Sequence, residues 1–311
     1  MSDPFNLDPT VVYGEAVRLA PQVRRLTVRN GSPMTFTGTQ TYLVGAGDIV
    51  VIDPGPVNDQ HVADVMNALD DGEKITAILL THTHIDHSPG AAALKAATGA
   101  LTYAFGPHGA GMSQMMIDLA ASGADLGGGE GADRAFQPDF TVTDGERLTF
   151  GDLALTAIHT PGHLSNHLSF AMDDGAVFTG DLIMGWATTL VSPPDGDMAA
   201  FLASLAKMRA REDRVYYPGH GHPIEDPTGM IDHQVAHRRV RVDQIVAALG
   251  DGAATPMELT KKIYTDVNPA LYGAASRNVF AALLGLVAEG RCEAEGGIAP
   301  DARFSLMANA A

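Results

Sequence analysis

The segment ITAILLTHTHIDH, residues 75–87, joins a run of apolar residues to a cluster of histidines. Residues 75–80 are mostly apolar and partly β-branched, which is typical of a buried strand. His82, His84, Asp86 and His87 follow within the next seven residues. Imidazoles and a carboxylate at this spacing suit zinc or a similar cation, and a chance cluster of surface histidines is a poor alternative. Because a strand end directs side chains to one rim of a sheet, we expect an open metal site there.

Four further segments place a ligand-type side chain just after a predicted strand. These segments are VIDPG at 51–55, TPGH at 160–163, FTGD at 178–181 and YPGH at 217–220, and they contain Asp53, His163, Asp181 and His220. In each segment a glycine lies beside the polar residue or close to it, and a residue without Cβ lets the backbone approach closely. Each segment alone is weak evidence, but the four in this order strengthen the prediction of a metal site.

The order Asp, His-x-His-x-Asp-His, His, Asp and His resembles the pattern of the metallo-β-lactamase superfamily over about residues 20–226. The resemblance implies two metal ions, the first held by His82, His84 and His163 and the second held by Asp86, His87 and His220. It implies that Asp181 bridges both ions. Asp53 is expected to accept a hydrogen bond from a ligand histidine rather than to bind metal.

The resemblance also implies a metal-dependent hydrolase in which a hydroxide bridging the two ions attacks the substrate. Asp86 and Asp181 are the predicted catalytic carboxylates. Two Zn²⁺ ions are the expected cofactors, with iron or manganese as alternatives. A variant of the superfamily uses a single iron for oxygenation, but the retention of His87 and His220 favours two metals.

The pattern of elements predicts an α/β fold, an αββα sandwich of two packed mixed β-sheets with outer helices. The strands fall into two batches, each with helices between or after them. We assign this catalytic domain to residues 1–229. The predicted strands are 23–29, 40–44, 49–52, 75–80, 101–104, 140–142, 147–150, 153–159, 168–172, 176–179 and 214–217, and the predicted helices are 59–69, 91–97, 108–121 and 198–208.

Residues 230–311 are predicted to form a small C-terminal winged-helix-like α+β domain. A helix over 231–249 is followed by a capping box at Thr255-Pro256-Met257-Glu258 and a second cap with proline at Asn268-Pro269. A short hairpin closes the chain. Such domains often bind DNA, but the helix 269–289 has one Arg and one Glu, so a packing or dimerisation role, and with it a homodimer, is favoured.

Finer features resemble one branch of the superfamily, the lactamase-β-2-like group. They are the segments NGSPMT at 30–35, GTQTYLV at 38–44 and PGHG at 218–221, together with the winged-helix-like C-terminus. The group includes a mitochondrial endoribonuclease and many bacterial members without an established substrate. The chain departs from the group at His222, which is either an extra proton donor or an exposed histidine beside His220.

The formal net charge of −17 argues against a polyanionic partner. Residues 1–229 contain 12 of the 20 Lys and Arg residues but 28 of the 37 Asp and Glu residues, so most of the negative charge lies in the predicted catalytic domain. The substrate is therefore predicted to be a small ester, thioester, amide or lactone. The alternatives are a phosphodiesterase or endoribonuclease acting on single-stranded RNA and, in a third class, a scaffold or DNA-binding regulator.

The chain has one cysteine, Cys292, and the N-terminus has no basic stretch followed by an apolar one. One cysteine permits no intrachain disulfide, which fits the reducing cytoplasm. No run of about eighteen apolar residues occurs, so no membrane span is predicted. We therefore expect a cytoplasmic protein.

Several residues have two interpretations. His167 is interpreted as a residue behind the ligands, and Trp186 either lines the pocket or packs in the core. The methionines of the predicted helix 108–121 are expected to pack on the core, and the glycine-rich segment 123–131 is expected to be a surface loop. His159 is not expected to join His163. The remaining histidines, interpreted as ordinary surface or helix residues, are His61, His108, His233 and His237.

Overall fold

The computed structural model describes residues 4–123, 131–265 and 267–307. Its first sheet has seven strands in chain order, antiparallel from β1 to β4 and parallel from β4 to β7. The strands are β1 (Val17–Ala20), β2 (Val23–Thr27), β3 (Gln40–Ala46), β4 (Asp48–Ile52), β5 (Lys74–Leu79), β6 (Leu101–Ala104) and β7 (Phe140–Thr141). Because β4 to β6 are parallel, the loops that follow them lie at one edge of the sheet.

The second sheet has five strands in the order β12-β11-β10-β9-β8. Only the β11–β12 pair is parallel among the described strands of this sheet. The strands are β8 (Arg147–Phe150), β9 (Leu153–His159), β10 (Leu168–Met172), β11 (Ala176–Gly180) and β12 (Val215–Pro218). The parallel ends of β11 and β12 bring the segments around Asp181 and His220 side by side.

The two sheets pack face to face, and helices cover both outer surfaces. Strand β4 shows why: Val50 and Ile52 pack between the sheets, whereas Ile49 and Val51 pack under helices on the outer face. Both faces of this strand are buried, so its residues 49–52 are all apolar rather than alternating with polar ones. The helices are α1 (Asp59–Asn67) and α2 (Gly90–Thr98) on the first sheet, and α4 (Met198–Arg209) and α5 (Pro227–Leu249) on the second.

The C-terminal part has its own apolar core. It contains the end of α5, the helices α6 (Pro256–Ile263) and α7 (Tyr272–Ala288), and the hairpin β13 (Cys292–Ala294) and β14 (Phe304–Leu306). Helix α3 (Gln114–Ala121) of the catalytic domain also packs into this core through Met116 and Leu119. The predicted αββα sandwich with a C-terminal winged helix is confirmed. The boundary at 229/230 falls inside α5 and stays a prediction.

Among the residues that the structure describes, one helical segment, Pro269–Ala288, is long and apolar enough by length and composition to cross a membrane. Its apolar residues Val279, Phe280 and Leu283 are buried in the protein interior. The core helix of a globular domain meets the same criteria of length and composition, and the burial of these three side chains is typical of such a helix.

Several predicted elements differ from the structure in their bounds, and the helix predicted over 231–249 begins earlier, at Pro227. The helix predicted over 108–121 begins only at Gln114, because the preceding residues form turns with positive φ at Gly109 and Gly111. The helix predicted from Pro269 opens with a 3₁₀ turn, Pro269–Leu271, before α7. Most of the predicted loop 123–131 lies outside the described residues.

Candidate metal centre and substrate cavity

The histidine segment follows β5 and is anchored to its surroundings by backbone hydrogen bonds. The Ile85 amide donates to the Gly131 carbonyl, and the Asp133 amide donates to the Thr83 carbonyl. His82 and His87 are buried, whereas Asp86 is half-buried and Ile85 is exposed. Of residues 82–87 only Ile85 is exposed, so the ligand-type side chains face the protein rather than solvent.

Four of the predicted ligands form a first cluster. One ligand atom from each of His82, His84, His163 and Asp181 lies within 4.8 Å of the others. His84 Nδ1 is 2.9 Å from His82 Nε2 and 3.0 Å from His163 Nε2. The nearer Asp181 oxygen, Oδ2, lies 3.5 Å from His163 Nε2.

Three other predicted ligands form a second cluster beside the first. Asp86 Oδ2 is 3.4 Å from His87 Nε2 and 3.3 Å from His220 Nε2. Asp181 reaches this cluster as well, with Oδ2 3.3 Å from His220 Nε2 and Oδ1 3.6 Å from His87 Nε2. The same carboxylate therefore faces both clusters, as expected of a bridging ligand, although its role as a ligand stays a prediction.

The donor set fits a pair of divalent cations. Three imidazoles with a carboxylate, and two imidazoles with two carboxylates, are typical zinc environments. Asp181 Oδ1 is buried and has no hydrogen-bond partner in the described part of the chain. A buried carboxylate oxygen without a partner is costly unless a cation approaches it. Gly219 provides the space, since a Cβ there would collide with Asp181 Oδ1.

The electrostatics divide the histidines into two groups. Burial lowers the pKa of His82 and His163 and lowers that of His84 to about 3, so these rings are neutral and have a free lone pair at pH 7. Burial also opposes protonation of His220, but the carboxylates of Asp181 and Asp86 outweigh it and raise the pKa of His220 to about 9. This second cluster attracts positive charge, which a metal ion would supply in place of protons.

Asp53 lies behind both clusters. Its Oδ1 accepts from the Thr81 amide at 2.7 Å, and its Oδ2 accepts from Thr81 Oγ1 at 2.6 Å and from His87 Nδ1 at 2.9 Å. Thr81 Oγ1 is also 2.9 Å from His82 Nδ1. In this network Nδ1 of each histidine donates, which directs Nε2 of each ring toward the clusters. Burial opposes protonation of His87, but the carboxylates of Asp86 and Asp181 outweigh it and raise the pKa of His87, so a metal ion would take the place of the proton on its Nε2. Asp53 adopts a φ of +52°, the left-handed region, which fits a position constrained by several partners.

His167 also lies behind the ligands, as the sequence analysis predicts. Its Nδ1 is 2.9 Å from Thr160 Oγ1, and its Nε2 accepts from the Asp181 amide at 3.2 Å. Burial lowers the pKa of His167, so the ring is neutral at pH 7. A neutral ring has one nitrogen without a proton, and that nitrogen can accept the hydrogen bond. His159 stacks on Phe105 instead and does not approach His163.

Two histidines interpreted as ordinary surface or helix residues have polar partners inside the protein. His61 lies in α1 as expected but is only 4% exposed, with Nε2 2.8 Å from Thr41 Oγ1, which in turn donates to the Asp53 carbonyl. His108 pairs with Asp195 at 3.1 Å. His61 is a helix residue, as the interpretation allows, but it is buried, and His108 lies half-buried in a turn, because both have polar partners from other segments. The positions of these histidines along the chain do not indicate such contacts.

A cavity of about 280 Å³ lies over the clusters and is lined by Met34, Thr35, His84, Asp86, Gly131, His163, Leu164, Asp181, Met184, Leu190, Ser192, Asp195, His220 and Arg277. Trp186 is not part of this lining; it stacks on Phe36 with ring centroids 5.3 Å apart. His222 contacts the Asp8 carbonyl at 2.8 Å through Nε2. Arg277 of α7 is the residue that the sequence analysis missed, and only the docking of the C-terminal domain reveals it.

The C-terminal domain also contacts the ligands indirectly. Asn278 Oδ1 accepts from the Val191 amide at 2.9 Å, and the adjacent Leu190 carbonyl lies 2.7 Å from His163 Nδ1. Arg238 of α5 donates to Asn278 Oδ1 and to the Thr189 carbonyl. The loop that orients His163 is therefore fastened by α5 and α7.

Fold and site together define a hydrolase with a metallo-β-lactamase fold. Residues 34–220 match the metallo-beta-lactamase superfamily, and residues 255–299 match the beta-lactamase associated winged helix domain. The chain therefore belongs to the metallo-beta-lactamase superfamily.

The chain is similar to several named proteins. It is 31% identical to a beta-lactamase-like protein 2 homolog of Drosophila melanogaster, over 88% of this chain and 90% of that protein. It is 29% identical to an atrochrysone carboxyl ACP thioesterase of Aspergillus fumigatus, over 79% of this chain and 74% of that protein. A crystal structure of a metallo-beta-lactamase family protein from Thermus thermophilus superimposes with a TM-score of 0.75 at 23% identity. The superposition covers 93% of this chain and 100% of that protein, which supports the fold.

Proposed function

We propose that the protein hydrolyses a small acyl compound, an ester, thioester, amide or lactone, and that a thioester is the first class to test. The observation that carries the proposal is the position of the two ligand clusters in the wall of a cavity of about 280 Å³. Such a volume suits a small molecule. Met34, Leu164, Met184 and Leu190 make much of the lining apolar, which suits an acyl chain.

The proposed cofactors are two Zn²⁺ ions, one held by His82, His84 and His163, the other by Asp86, His87 and His220, with Asp181 shared. When bound, such ions supply an activated water as nucleophile and polarise the substrate carbonyl.

The residues around the ligands keep them in position. Thr39 Oγ1 donates to Asp86 Oδ2 at 2.8 Å, and the Gly38 carbonyl is 3.2 Å from His220 Nδ1. Asp53 and the Leu190 carbonyl perform the same task for His87 and His163. Since each ligand histidine named here has a partner for its second ring nitrogen, the site is organised before substrate enters.

A relative's name supports the thioester. The Aspergillus fumigatus relative is named a thioesterase, and that relative aligns with most of this chain. A thioester and a lactone or ester share an electrophilic carbonyl, so one site geometry serves all of them. The proposed substrate is therefore defined by its carbonyl, and the rest of its structure is set by the cavity.

The main alternative is hydrolysis of single-stranded RNA. Sites for single strands combine a basic groove with aromatic side chains on which bases stack. Among the described residues lining the cavity there is one arginine, and no lysine or aromatic ring other than histidine. Together with the net charge of −17, this lining favours the acyl substrate.

The test uses the full chain, elemental analysis and a panel of ester, thioester, lactam, lactone and phosphodiester reporters. We expect zinc near two ions per chain, with iron and manganese measured in the same run. His84→Ala and Asp181→Ala should lose bound metal and at least about 100-fold of activity. Loss of a residue that only orients a metal ligand costs up to about 100-fold, and loss of the ligand itself should cost at least as much. His233→Ala and Asp173→Ala, which lie outside the clusters, are matched controls.

Three outcomes would contradict the proposal. Full activity in metal-depleted His84→Ala would exclude the metal site as the source of activity. Hydrolysis of the RNA reporter alone would favour the alternative. Strong, salt-sensitive DNA binding without hydrolysis would favour a regulator.

The cytoplasmic location and the homodimer are proposals as well. Light scattering of the purified chain tests the dimer, with a mass near 65 kDa expected from a chain of 32.6 kDa. Fractionation of cells that express the protein tests the location.

A further inference from the structure

Arg277 extends from the winged-helix domain into the cavity of the catalytic domain. It is the sole lysine or arginine among the described residues that line this cavity. Its Nε is buried and has no hydrogen-bond partner, and none of its guanidinium nitrogens forms an ion pair within the described ranges. A guanidinium with free donors in a largely apolar cavity is a ready site for an anion.

The carboxylates among the described residues that line the cavity pair with histidines rather than with Arg277. Asp195 also lines the cavity, but its carboxylate pairs with His108 at 3.1 Å. Asp86 and Asp181 face the histidines of the two clusters. The guanidinium is therefore available to a group that enters from outside.

The backbone around Arg277 is held in place. The next residue, Asn278, accepts hydrogen bonds from the Val191 amide and from Arg238. Val279 and Phe280 are buried in the core of the C-terminal domain. A side chain on a fixed helix binds a ligand more selectively than one on a mobile loop, because less order is lost on binding.

We propose that Arg277 is a specificity residue that binds an oxyanion, a carboxylate or a phosphate, on the substrate while the carbonyl lies at the metal-ligand clusters. The substrate class is thus an acyl compound with a second, anionic group. This inference rests on the proposed acyl hydrolysis. It also gives the winged-helix domain a role in substrate recognition.

The experiment compares three thioester reporters of equal length whose acyl chains end in a methyl, a carboxylate or a phosphate group. We expect kcat/KM of one anionic reporter to exceed that of the neutral reporter by about 10- to 100-fold, the range of a charge-assisted hydrogen-bond pair. In Arg277→Gln this ratio falls close to one, mainly through KM. Arg277→Lys keeps the charge but not the planar fork, so its ratio lies between the two.

The matched control is Arg239→Gln, which removes the same charge from an exposed position of the same domain. It should keep the wild-type ratio. Metal content and the unfolding temperature are measured for every variant, so that a loss of metal or of folding is not mistaken for a loss of recognition. If Arg277→Gln fails to fold, Arg277→Lys carries the test.

Two results would overturn the proposal: a wild-type ratio of one for both anions, or an equal loss for neutral and anionic reporters in Arg277→Gln. If no acyl reporter is hydrolysed, the proposed function fails, and recognition is tested by calorimetric titration with glutarate and inorganic phosphate. Wild-type binding that weakens tenfold in Arg277→Gln supports the anion site in that case, and equal binding by both proteins refutes it.

Discussion

Replacing Asp53 by asparagine tests whether the residues behind the ligands control metal binding. The substitution keeps the size of the side chain but replaces one acceptor oxygen by a donor. Both oxygens accept in the protein: Oδ1 from the Thr81 amide, and Oδ2 from Thr81 Oγ1 and His87 Nδ1. Either orientation of the asparagine amide therefore directs an N–H₂ at a donor.

The consequence extends to the faces of the histidines that point to the metal. The amide N–H of Thr81 can only donate, so the asparagine N–H₂ is expected to take the place of Oδ2. His87 Nδ1 is then left without an acceptor and unprotonated, and the ring holds its proton on Nε2, which faces Asp86 and Asp181. The Thr81 hydroxyl can then donate to His82 Nδ1, which changes that tautomer as well. A protonated Nε2 cannot bind a cation, so the tautomers of one ligand in each cluster are disturbed.

The expected magnitude follows from these partners. Loss of a residue that orients a metal ligand costs about 10- to 100-fold in affinity, or about 1.4 to 2.7 kcal/mol for each affected site. The assay is competition of metal-stripped protein with a chromophoric zinc chelator. We expect both binding constants to fall in Asp53→Asn, with the second cluster more affected because His87 contacts Asp53 directly.

The chain contains a matched control for this substitution. Asp139 accepts from the amide and hydroxyl of Thr102 and from Lys95, an arrangement like that of Asp53 but away from the clusters. Asp139→Asn should lower the free energy of unfolding and leave zinc affinity unchanged. Two ions bound with wild-type affinity by folded Asp53→Asn would refute the reasoning.

Two further predictions concern more distant residues. His61→Gln should make the protein less sensitive to acid: burial lowers the pKa of His61 to about 4, so the unfolded chain takes up a proton below pH 6.5 that the folded chain resists. That difference removes up to about 3 kcal/mol of wild-type stability as the pH falls from 7 to 4, and urea unfolding across this range should show a smaller loss in the variant. Asn278→Ala should weaken zinc binding by several-fold, because the Val191 amide loses its acceptor and the loop that orients His163 is freed. The chelator assay measures this effect, and an unchanged affinity would show that the contact only supports packing.

Much of the fold was predictable because its signals are local. The buried parallel strands β4 and β5 consist mainly of apolar residues, and the capping box at Thr255 fixes the start of α6. Helix starts were less predictable where turns precede them, as at Gln114. The sandwich and the winged helix follow from the order of such elements.

The sequence by itself identified the candidate metal ligands, because a histidine cluster and small residues at strand ends are encoded in short stretches of chain. Only the tertiary structure decided which of the other histidines matter. His61 and His108 gain their partners from segments far away in the chain. Arg277 reaches the cavity because α7 docks against the catalytic domain, as in the hydrogen bond between Val191 and Asn278, 87 positions apart, and no local pattern specifies such a contact.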